Sequence, residues 1–373
     1  MIIISLNSNS MKKIASIVGA RPNFIKLAPI HNLMNKSGYT NKFKHIIIHT
    51  GQHYDYKLSE IFFSEFSLPT PNYNLDVGST TPCMQIAEMI RKLEHLFQSL
   101  KIDMVLVYGD TNSTFAGALA ATKSMINVGH IESGLRSFYR EMPEELNRVL
   151  TDHISNFLYS PTKTAIKNLK SENIQGEVIY TGDISVEIIK KAETKIHNSR
   201  ILDKLKLEPK NYYLFTLHRS ENTNVTCLKS IIEIFNKIPA SKIVFPIHPR
   251  TANILDQNNL FKELKKCKNV ILTDPVGYLD FIKLVKYSDK IITDSGGTQK
   301  EAYLLKTPCI TIRNNTEWIE TINEGWNILT GIDIEKTTNA ITNWYPQTSS
   351  QNPIFGDGRT SNIIMEHLVK TLE

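Results

Sequence analysis

The stretch Asp294-Ser295-Gly296-Gly297-Thr298 has the composition of a turn that could hold a phosphate group. It follows the β-branched, apolar pair Ile291-Ile292 and precedes a helical run at 301–305. Gly296 and Gly297 permit unusual backbone angles, and such a turn directs free N–H groups and the positive end of a helix at one point. An ordinary strand-to-helix connection has the same composition, so the pattern alone leaves both interpretations open.

Polar and ionisable side chains also follow most of the other apolar runs, at the points where buried strands would end. In an open α/β sheet, ligands bind at the edge formed by the carboxyl ends of the strands. One charged residue at such a position is usually loop decoration, but several at successive strand ends indicate a site. In the first half of the chain these residues are Arg21, Lys26, Gln52, His53, Asp110, Glu132 and Arg136, and in the second half they are His218, His248, Arg250, Ser295 and Arg313.

The elements that would position these side chains alternate between strand and helix. This alternation predicts parallel sheets covered by helices on both faces, an α/β fold. Pro29 predicts a kink or a break in the first helix. The predicted strands are 14–18, 45–49, 104–107, 127–130, 157–160 and 177–180, then 213–216, 243–245, 270–272, 291–292 and 309–312; the principal predicted helices are 24–35, 58–66, 84–100 and 162–171.

The chain is long enough for two Rossmann-like domains, because 373 residues exceed what one compact core usually holds. We expect an N-terminal domain over 11–182, a C-terminal domain over 183–355 and a final helix over 356–373. Two halves with facing strand ends predict a cleft between them. The helix at the chain's end cannot be placed from its pattern.

Composition argues against several other classes of protein. The net charge of +6 comes from lysines spread along the chain, which favours a solvated surface and no nucleic-acid partner. The four cysteines have no metal-ligand spacing, and no apolar run is long enough to span a membrane. The start of the chain lacks the pattern of a secretory signal. We therefore expect a cytoplasmic protein without a membrane partner.

Seven short motifs, in order along most of the chain, resemble those of the non-hydrolysing UDP-N-acetylglucosamine 2-epimerases. The resemblance implies two Rossmann-like domains arranged as in the GT-B glycosyltransferases, an active site in the cleft, a homodimer, and a last helix that returns to the N-terminal domain. Surface polysaccharide synthesis is the implied setting. The motifs are Gly19-Ala20-Arg21-Pro22, Gly109-Asp110-Thr111, His130-Ile131-Glu132-Ser133-Gly134-Leu135-Arg136, Pro143-Glu144-Glu145 with Asn147-Arg148, His218-Arg219 with Glu221-Asn222, His248-Pro249-Arg250-Thr251, and Asp294-Ser295-Gly296-Gly297.

The resemblance also implies a reaction that suits these residue types. A base removes the proton at sugar C2 while UDP leaves C1, which gives a 2-acetamidoglucal, and UDP then adds back after reprotonation on the other face. This route uses carboxylates and stabilisation of the departing diphosphate, and it needs no metal and no cofactor. The implied catalytic residues are Asp110, Glu132, Glu144 and His218, and the implied substrate-binding and UDP-binding residues are Arg21, Lys26, Arg148, His248, Arg250, Phe281, Ser295, Gly296, Gly297 and Glu301.

Some residues depart from the family pattern. Glu317-Trp318-Ile319-Glu320 places a tryptophan where an arginine is usual, so that stacking and one donor would be offered to the ligand instead. This resembles the branch that acts on UDP-2,3-diacetamido-2,3-dideoxyglucuronate, which leaves that sugar open as an alternative substrate. Gln52 and Asp55 stand where substrate-activated bacterial members carry two glutamines, which makes allosteric activation doubtful.

Three functional classes remain open on the sequence. The first is the 2-epimerase with either sugar. The second is a hydrolysing relative or a GT-B glycosyltransferase, which would release UDP in proportion to turnover. The third is a sugar-nucleotide binding protein without catalysis, and three carboxylates beside an anionic ligand argue against it.

Overall fold

A computed structural model describes residues 11–52, 65–238 and 241–372 of the chain. The chain divides into two compact units. The first unit takes the chain up to Ile188 and returns from Ile354 onward, and the second unit is Ile189–Pro353. The predicted helix at 58–66 lies almost wholly outside the described residues. Among the described helices, none combines the length and the apolar composition that crossing a membrane requires.

The first unit is built on a seven-stranded sheet in which every pair of neighbouring strands is parallel. Its strand order is β3-β2-β1-β4-β5-β6-β7. The central strands are buried apolar runs, as the sequence predicts, and the edge pair Tyr73–Asn74 was not predicted. The strands are β1 (Lys12–Val18), β2 (Phe43–His49), β3 (Tyr73–Asn74), β4 (Met104–Tyr108), β5 (Asn127–Ile131), β6 (Phe157–Ser160) and β7 (Glu177–Tyr180).

Helices connect these strands and flank the sheet. Their bounds are α1 (Arg21–Met34), α2 (Pro82–Leu100), α3 (Asn112–Lys123), α4 (Pro143–Ile154), α5 (Lys163–Ser171), and α6 (Ser185–Glu193), which crosses the boundary between the units. The last helix of the chain, Thr360–Leu372, belongs to the first unit. Its Thr360 hydroxyl donates to the Thr181 carbonyl at 3.0 Å, and Ser361 donates to the Glu187 carboxylate.

The first helix differs from its prediction at two points. It begins at Arg21, three residues earlier than expected, because the Asn23 side chain accepts the N–H groups of Gly19 and Ala20 and Pro22 suits a first helical turn. It also continues through Pro29 without a break. Arg21 and Lys26 therefore lie on one helix.

The second unit repeats the architecture with a six-stranded parallel sheet of order β10-β9-β8-β11-β12-β13. Its strands are β8 (Tyr212–Thr216), β9 (Lys242–Pro246), β10 (Val270–Thr273), β11 (Lys290–Thr293), β12 (Cys309–Thr311) and β13 (Asn327–Leu329). Its helices are α7 (Ile201–Leu205), α8 (Val225–Lys237), α9 (Pro249–Gln257), α10 (Leu260–Leu264), α11 (Tyr278–Tyr287), α12 (Gly296–Leu304), α13 (Ile319–Asn323) and α14 (Ile334–Asn343), and we number the chain's last helix α15. The α/β fold with two parallel sheets is confirmed.

Both sheets reverse their strand order at one point. In the first unit the chain builds outward from β1 in one direction and from β4 in the other, and in the second unit β8 and β11 play the same parts. A crevice forms at such a reversal, outside the carboxyl ends of the two strands, and ligands of open α/β sheets bind there. We therefore expect ligand-binding residues in the turns after β1, β4, β8 and β11.

Candidate functional site

Two carboxylates stand beyond the ends of neighbouring strands in the first unit, Asp110 after β4 and Glu132 after β5. Glu132 Oε1 lies 2.6 Å from Nζ of Lys26, which reaches it from α1. Both side chains of this ion pair are largely buried. Glu132 also holds a backbone φ of +73°, a left-handed conformation that costs a non-glycine residue free energy and is common at functional sites.

Gly109 makes room for this ion pair. Its φ is +69°, and a Cβ there would stand 2.8 Å from Nζ of Lys26 and 3.6 Å from Oε1 of Glu132. A side chain at this position would displace the lysine. Gly109 is thus required both for the turn and for the approach of Lys26 to Glu132.

Asp110 is paired with Arg148, which reaches it from α4. The Arg148 Nη2 atom donates to Oδ2 of Asp110 at 2.5 Å, and its Nη1 atom donates to Glu145 Oε2 at 2.8 Å. The Arg148 side chain is only 2% exposed, whereas that of Asp110 is 28% exposed. A buried guanidinium therefore holds a partly open carboxylate, which keeps Asp110 both oriented and accessible.

The two adjacent glutamates at the start of α4 differ in their environment. Glu145 is buried and accepts the N–H groups of Ser137 and Phe138, the Ser137 hydroxyl and the Arg148 guanidinium. These partners make it a structural anchor for the loop that precedes the helix. Glu144 is half-buried in the same first turn, and it remains the predicted catalytic residue of the pair.

Two asparagines fix the turns that carry these side chains. Asn23 donates to the Tyr108 carbonyl at 2.8 Å while it accepts from Gly19 and Ala20, which ties the turn after β1 to the end of β4. Asn147 donates to the Asp110 carbonyl at 3.0 Å. Arg21, half-buried, starts α1 directly after the turn that Asn23 holds.

Two of the polar strand-end residues serve the fold, and a third lies outside the described residues. The Gln52 side chain accepts from the backbone and the hydroxyl of Ser113 at the start of α3, so it serves the fold. Arg136 is buried between Asp152 and Glu172. His53, together with the Asp55 that bears on activation by substrate, lies outside the described residues.

In the second unit, His218 follows β8 and meets Asp294 at the end of β11. Its Nδ1 atom is 3.3 Å from Asp294 Oδ1, and its side chain is 44% exposed. The fully buried Asp294 carboxylate also accepts the backbone N–H groups of His218 and Arg219. Burial alone would raise the pKa of Asp294, but His218 and these backbone donors outweigh it and lower the pKa.

The predicted strand-to-helix turn is present after β11, but its glycines act differently from the prediction. Neither Gly296 nor Gly297 has a positive φ; both lie in the first turn of α12, which Ser295 caps. Gly296 is needed for space, because a Cβ there would come within 1.9 Å of Glu317 Oε1. Gly297 is exposed, and a Cβ on it would have no atom nearer than 3.9 Å. The positive end of the helix still suits an anion.

The other residues predicted to contact the nucleotide lie in the second unit, and they differ in how exposed their side chains are. Glu301, on α12, and Phe281, on α11, are half-buried. The ring of the exposed His248 stands 6.4 Å from that of His218, between centroids. Arg250 lies in the first turn of α9, and its side chain is outside the described part of the structure.

Trp318 is buried beside the start of α12, where its Nε1 atom lies 3.3 Å from the position that a Cβ on Gly296 would take. It is only 2% exposed, and Nζ of Lys300 lies 4.3 Å from the centroid of its ring. The indole therefore forms a cation–π contact inside the second unit. The prediction that it offers an open stacking surface to a ligand is wrong.

The buried acids that position the predicted catalytic side chains were not identified from the sequence. Glu145 and Asp294 are buried acceptors for several donors, and their partners are found only in the fold. The one available signal was their position inside the motifs. In the described ranges, no cluster of three or more His, Cys, Asp and Glu side chains is arranged to hold a metal ion.

The sequence profile of the family described as UDP-N-acetylglucosamine 2-epimerase matches residues 36–369. A protein of Methanococcus maripaludis described as a UDP-N-acetylglucosamine 2-epimerase homolog is 50% identical over 95% of this chain and 99% of its own length. A UDP-2,3-diacetamido-2,3-dideoxy-D-glucuronate 2-epimerase of Pseudomonas aeruginosa is 38% identical over 96% of this chain and 99% of its own.

A solved structure gives the same result for the fold. It is the UDP-GlcNAc 2-epimerase of Methanocaldococcus jannaschii in complex with UDP-GlcNAc and UDP. The TM-score is 0.90 at 42% sequence identity, over 96% of this chain and 99% of that one.

Proposed function

This chain belongs to the UDP-N-acetylglucosamine 2-epimerase family, and from that premise we propose that it inverts C2 of UDP-N-acetylglucosamine to give UDP-N-acetylmannosamine without net hydrolysis. The observation that carries the proposal is the pair of carboxylates on neighbouring strand ends, Asp110 and Glu132, each bound to a buried or largely buried cation. Enzymes that move a carbon-bound proton need such oriented acids and bases.

The proposed reaction balances without any co-reactant. A carboxylate takes the C2 proton, the C1–O bond to UDP breaks, and the products on the enzyme are a 2-acetamidoglucal and UDP. A second acid then returns a proton to the opposite face of C2 while a UDP oxygen bonds to C1 again. We assign these proton transfers to Asp110, Glu132 and Glu144, whose order of use stays open.

We assign the diphosphate to the second unit. The exposed His218, whose Nδ1 atom lies beside Asp294, would hydrogen-bond to the departing phosphate oxygens. Ser295, Gly296 and Gly297 would bind the same oxygens at the start of α12. Glu301 would accept from the ribose hydroxyls, and Phe281 would pack near the nucleotide. The remaining residues that we assign to substrate binding are Arg21, Lys26, Arg148, His248 and Arg250.

The N-acetyl sugar is favoured over the diacetamido uronate. The relative named for the uronate is less similar than the one named as a UDP-N-acetylglucosamine 2-epimerase homolog, 38% against 50% identical. The tryptophan that suggested the bulkier sugar is buried. Neither observation favours a hydrolase or a glycosyltransferase.

The test is NMR of the product formed in D₂O from each nucleotide sugar separately. We expect a manno-configured UDP-sugar that carries deuterium at C2 from UDP-N-acetylglucosamine and little turnover of the diacetamido uronate. Free UDP that accumulates in proportion to turnover would instead identify a hydrolase. Binding of UDP without any C2 exchange would identify a non-catalytic protein.

We also propose a cytoplasmic homodimer that supplies sugar for polysaccharide synthesis. All four cysteines are free, which suits a reducing compartment. Leu146 and Leu150 lie one turn apart on α4 and are 49% and 37% exposed, which supports contact between two copies through this face. Light scattering should give twice the monomer mass, and Leu146→Glu with Leu150→Glu should give the monomer; a monomeric wild type would refute the dimer.

A further inference from the structure

A buried charge cluster lies directly beneath the two turns that carry Asp110 and Glu132, and the proposed reaction does not use it. Its centre is His130, on β5, paired with Asp152, on α4; both side chains are completely buried. Arg136, 1% exposed, donates to Asp152 at 2.7 Å and forks onto both oxygens of Glu172 at 2.7 Å. These four side chains are the His130 cluster.

Both ring nitrogens of His130 face acceptors. The Nε2 atom lies 2.7 Å from the carbonyl oxygen of Gly109, and the Nδ1 atom lies 2.7 Å from Oδ1 of Asp152. A carbonyl oxygen can only accept a hydrogen bond, and so can an ionised carboxylate. If Asp152 is ionised, each ring nitrogen must therefore carry a proton.

Asp152 is surrounded by donors, as an ionised carboxylate requires. Its Oδ2 atom accepts from Arg136 at 2.7 Å and from the Gly134 backbone N–H at 3.0 Å. Burial alone would raise the pKa of Asp152, but the charges of His130 and Arg136 outweigh it and lower the pKa. With His130 as a cation, the cluster holds two positive and two negative charges, the balance that buried ions need.

The cluster joins the two turns that carry the catalytic carboxylates. His130 binds the carbonyl that immediately precedes Asp110, and Asp152 binds the N–H group two residues after Glu132. We infer that His130 is a doubly protonated imidazolium which, with Asp152, acts as a positioning pair that fixes Asp110 relative to Glu132. The role in turnover rests on the proposed function, whereas the protonation state does not.

The proton state is tested first, on the wild-type protein. Long-range ¹H–¹⁵N correlation spectra of protein labelled at histidine nitrogens should show two protonated ring nitrogens for one buried histidine at neutral pH. The His130→Gln spectrum assigns that signal. An unprotonated ring nitrogen on His130 would overturn the inference whether or not the protein is an epimerase.

The positioning role is tested with Asp152→Asn. The variant removes one negative charge. Its amide oxygen can accept from Arg136 and from the Gly134 N–H, which turns its NH₂ group towards Nδ1 of His130. We therefore expect His130 to lose the proton on that nitrogen. We expect kcat to fall about tenfold to a hundredfold, because small misplacement of reacting groups has effects of this size, while KM and UDP affinity change less than about threefold. Unchanged kcat with an altered His130 spectrum would refute the positioning role.

A matched control lies one residue further along α4. His153 is exposed and its Nδ1 atom faces only the Val149 carbonyl of its own helix among the described contacts. His153→Gln should leave kcat, KM and the His130 signals unchanged. If Asp152→Asn does not fold, Glu172→Gln provides a milder change at the open end of the cluster. Both ring protons should remain, because the two acceptors of the His130 ring are unchanged, and kcat should fall less than tenfold. A lost ring proton in this variant would show that the net charge of the cluster sets the protonation state, which contradicts the role given to the two acceptors.

Discussion

Single carboxylates in this protein are distinguished by the groups they contact. Asp110 is partly open and bound by one buried arginine, whereas Glu145 is buried and accepts from four donors. The first arrangement leaves a carboxylate accessible to a ligand, and the second uses it to hold a loop. These differences give two predictions for single residues.

Asp110→Asn should lower kcat by about a hundredfold or more, because the amide cannot accept a proton from carbon. Deuterium incorporation at C2 should fall by the same factor, while UDP affinity stays unchanged. The control is Asp103→Asn at the other end of the same strand, where the carboxylate pairs with Lys12 at 3.6 Å. Full turnover by Asp110→Asn would refute its catalytic role.

Exchanging the neighbouring glutamates one at a time should separate activity from stability. Glu145→Gln should lower the free energy of unfolding by about 1 to 3 kcal/mol, because it leaves Arg148 and the loop donors poorly matched. Glu144→Gln should lower the unfolding temperature less than Glu145→Gln does, and it should lower kcat by about a hundredfold. Thermal unfolding and product assays on both proteins measure this, and the reverse result would exchange the two assignments.

The sequence predicts which side chains lie at strand ends, but it does not predict which of them are paired inside the fold and so cannot contact a ligand. Asp110, Glu132 and His218 could be chosen because they follow apolar strands. Arg136 and Gln52 occur in the same pattern, yet their partners are 16 to 61 residues away in the chain and fix them inside the fold. Trp318 was misjudged for the same reason, because only the fold places Lys300 over its ring.

At the scale of single elements, the start of α12 requires a glycine at position 296, because the Glu317 carboxylate lies where a side chain would begin. Gly296→Ala should lower the free energy of unfolding by about 1 to 3 kcal/mol, because the added Cβ would displace Glu317 from its 2.9 Å contact with Arg313. Gly297→Ala is the control one residue on, and it should not lower the unfolding temperature because the site is open. Equal unfolding temperatures for the two variants would contradict this account of Gly296.

A half-buried histidine pair between α1 and β2 should make the first unit sensitive to acid. His31 and His45 are 2.9 Å apart between Nδ1 atoms, and burial, reinforced by the charge of His31, lowers the pKa of His45 to about 3. An unfolded histidine titrates near 6.5, so the unfolded chain binds the proton first as the pH falls below that value. The stability that neutral His45 provides is complete above about pH 6.5 and is lost between there and about pH 3, at up to about 1.4 kcal/mol per pH unit.

Chemical denaturation from pH 7 to pH 4 measures this loss. His45→Gln should flatten the acid dependence, while the exposed His153→Gln should leave it as in the wild type. An unchanged slope for His45→Gln would show that other groups dominate acid sensitivity.

Most elements were predictable because a buried parallel strand is a short β-branched run bounded by turn residues. The elements that were missed are those without such a signal. Strand β3 has two exposed residues, and α1 begins early because one side chain, Asn23, caps the preceding turn. Neither feature changes the apolar pattern of the sequence.

At the scale of the molecule, the first unit is completed by the end of the chain. Helix α15 contributes a hydrogen bond between His367 Nδ1 and the Tyr159 hydroxyl at 2.9 Å, and its apolar face is buried. A chain that ends at Pro353 should lose protection from hydrogen exchange across β6 and β7 but keep it in the second unit, β8 to β13. Equal loss in both units would contradict this division.

The same return of the chain constrains how the protein is made. A ribosome delivers residues in order, so the second unit has emerged completely while the first still lacks its last helix. The half that is translated first is therefore the half that is finished last, and its unfinished surface over β6 and β7 is open to a chaperone during synthesis.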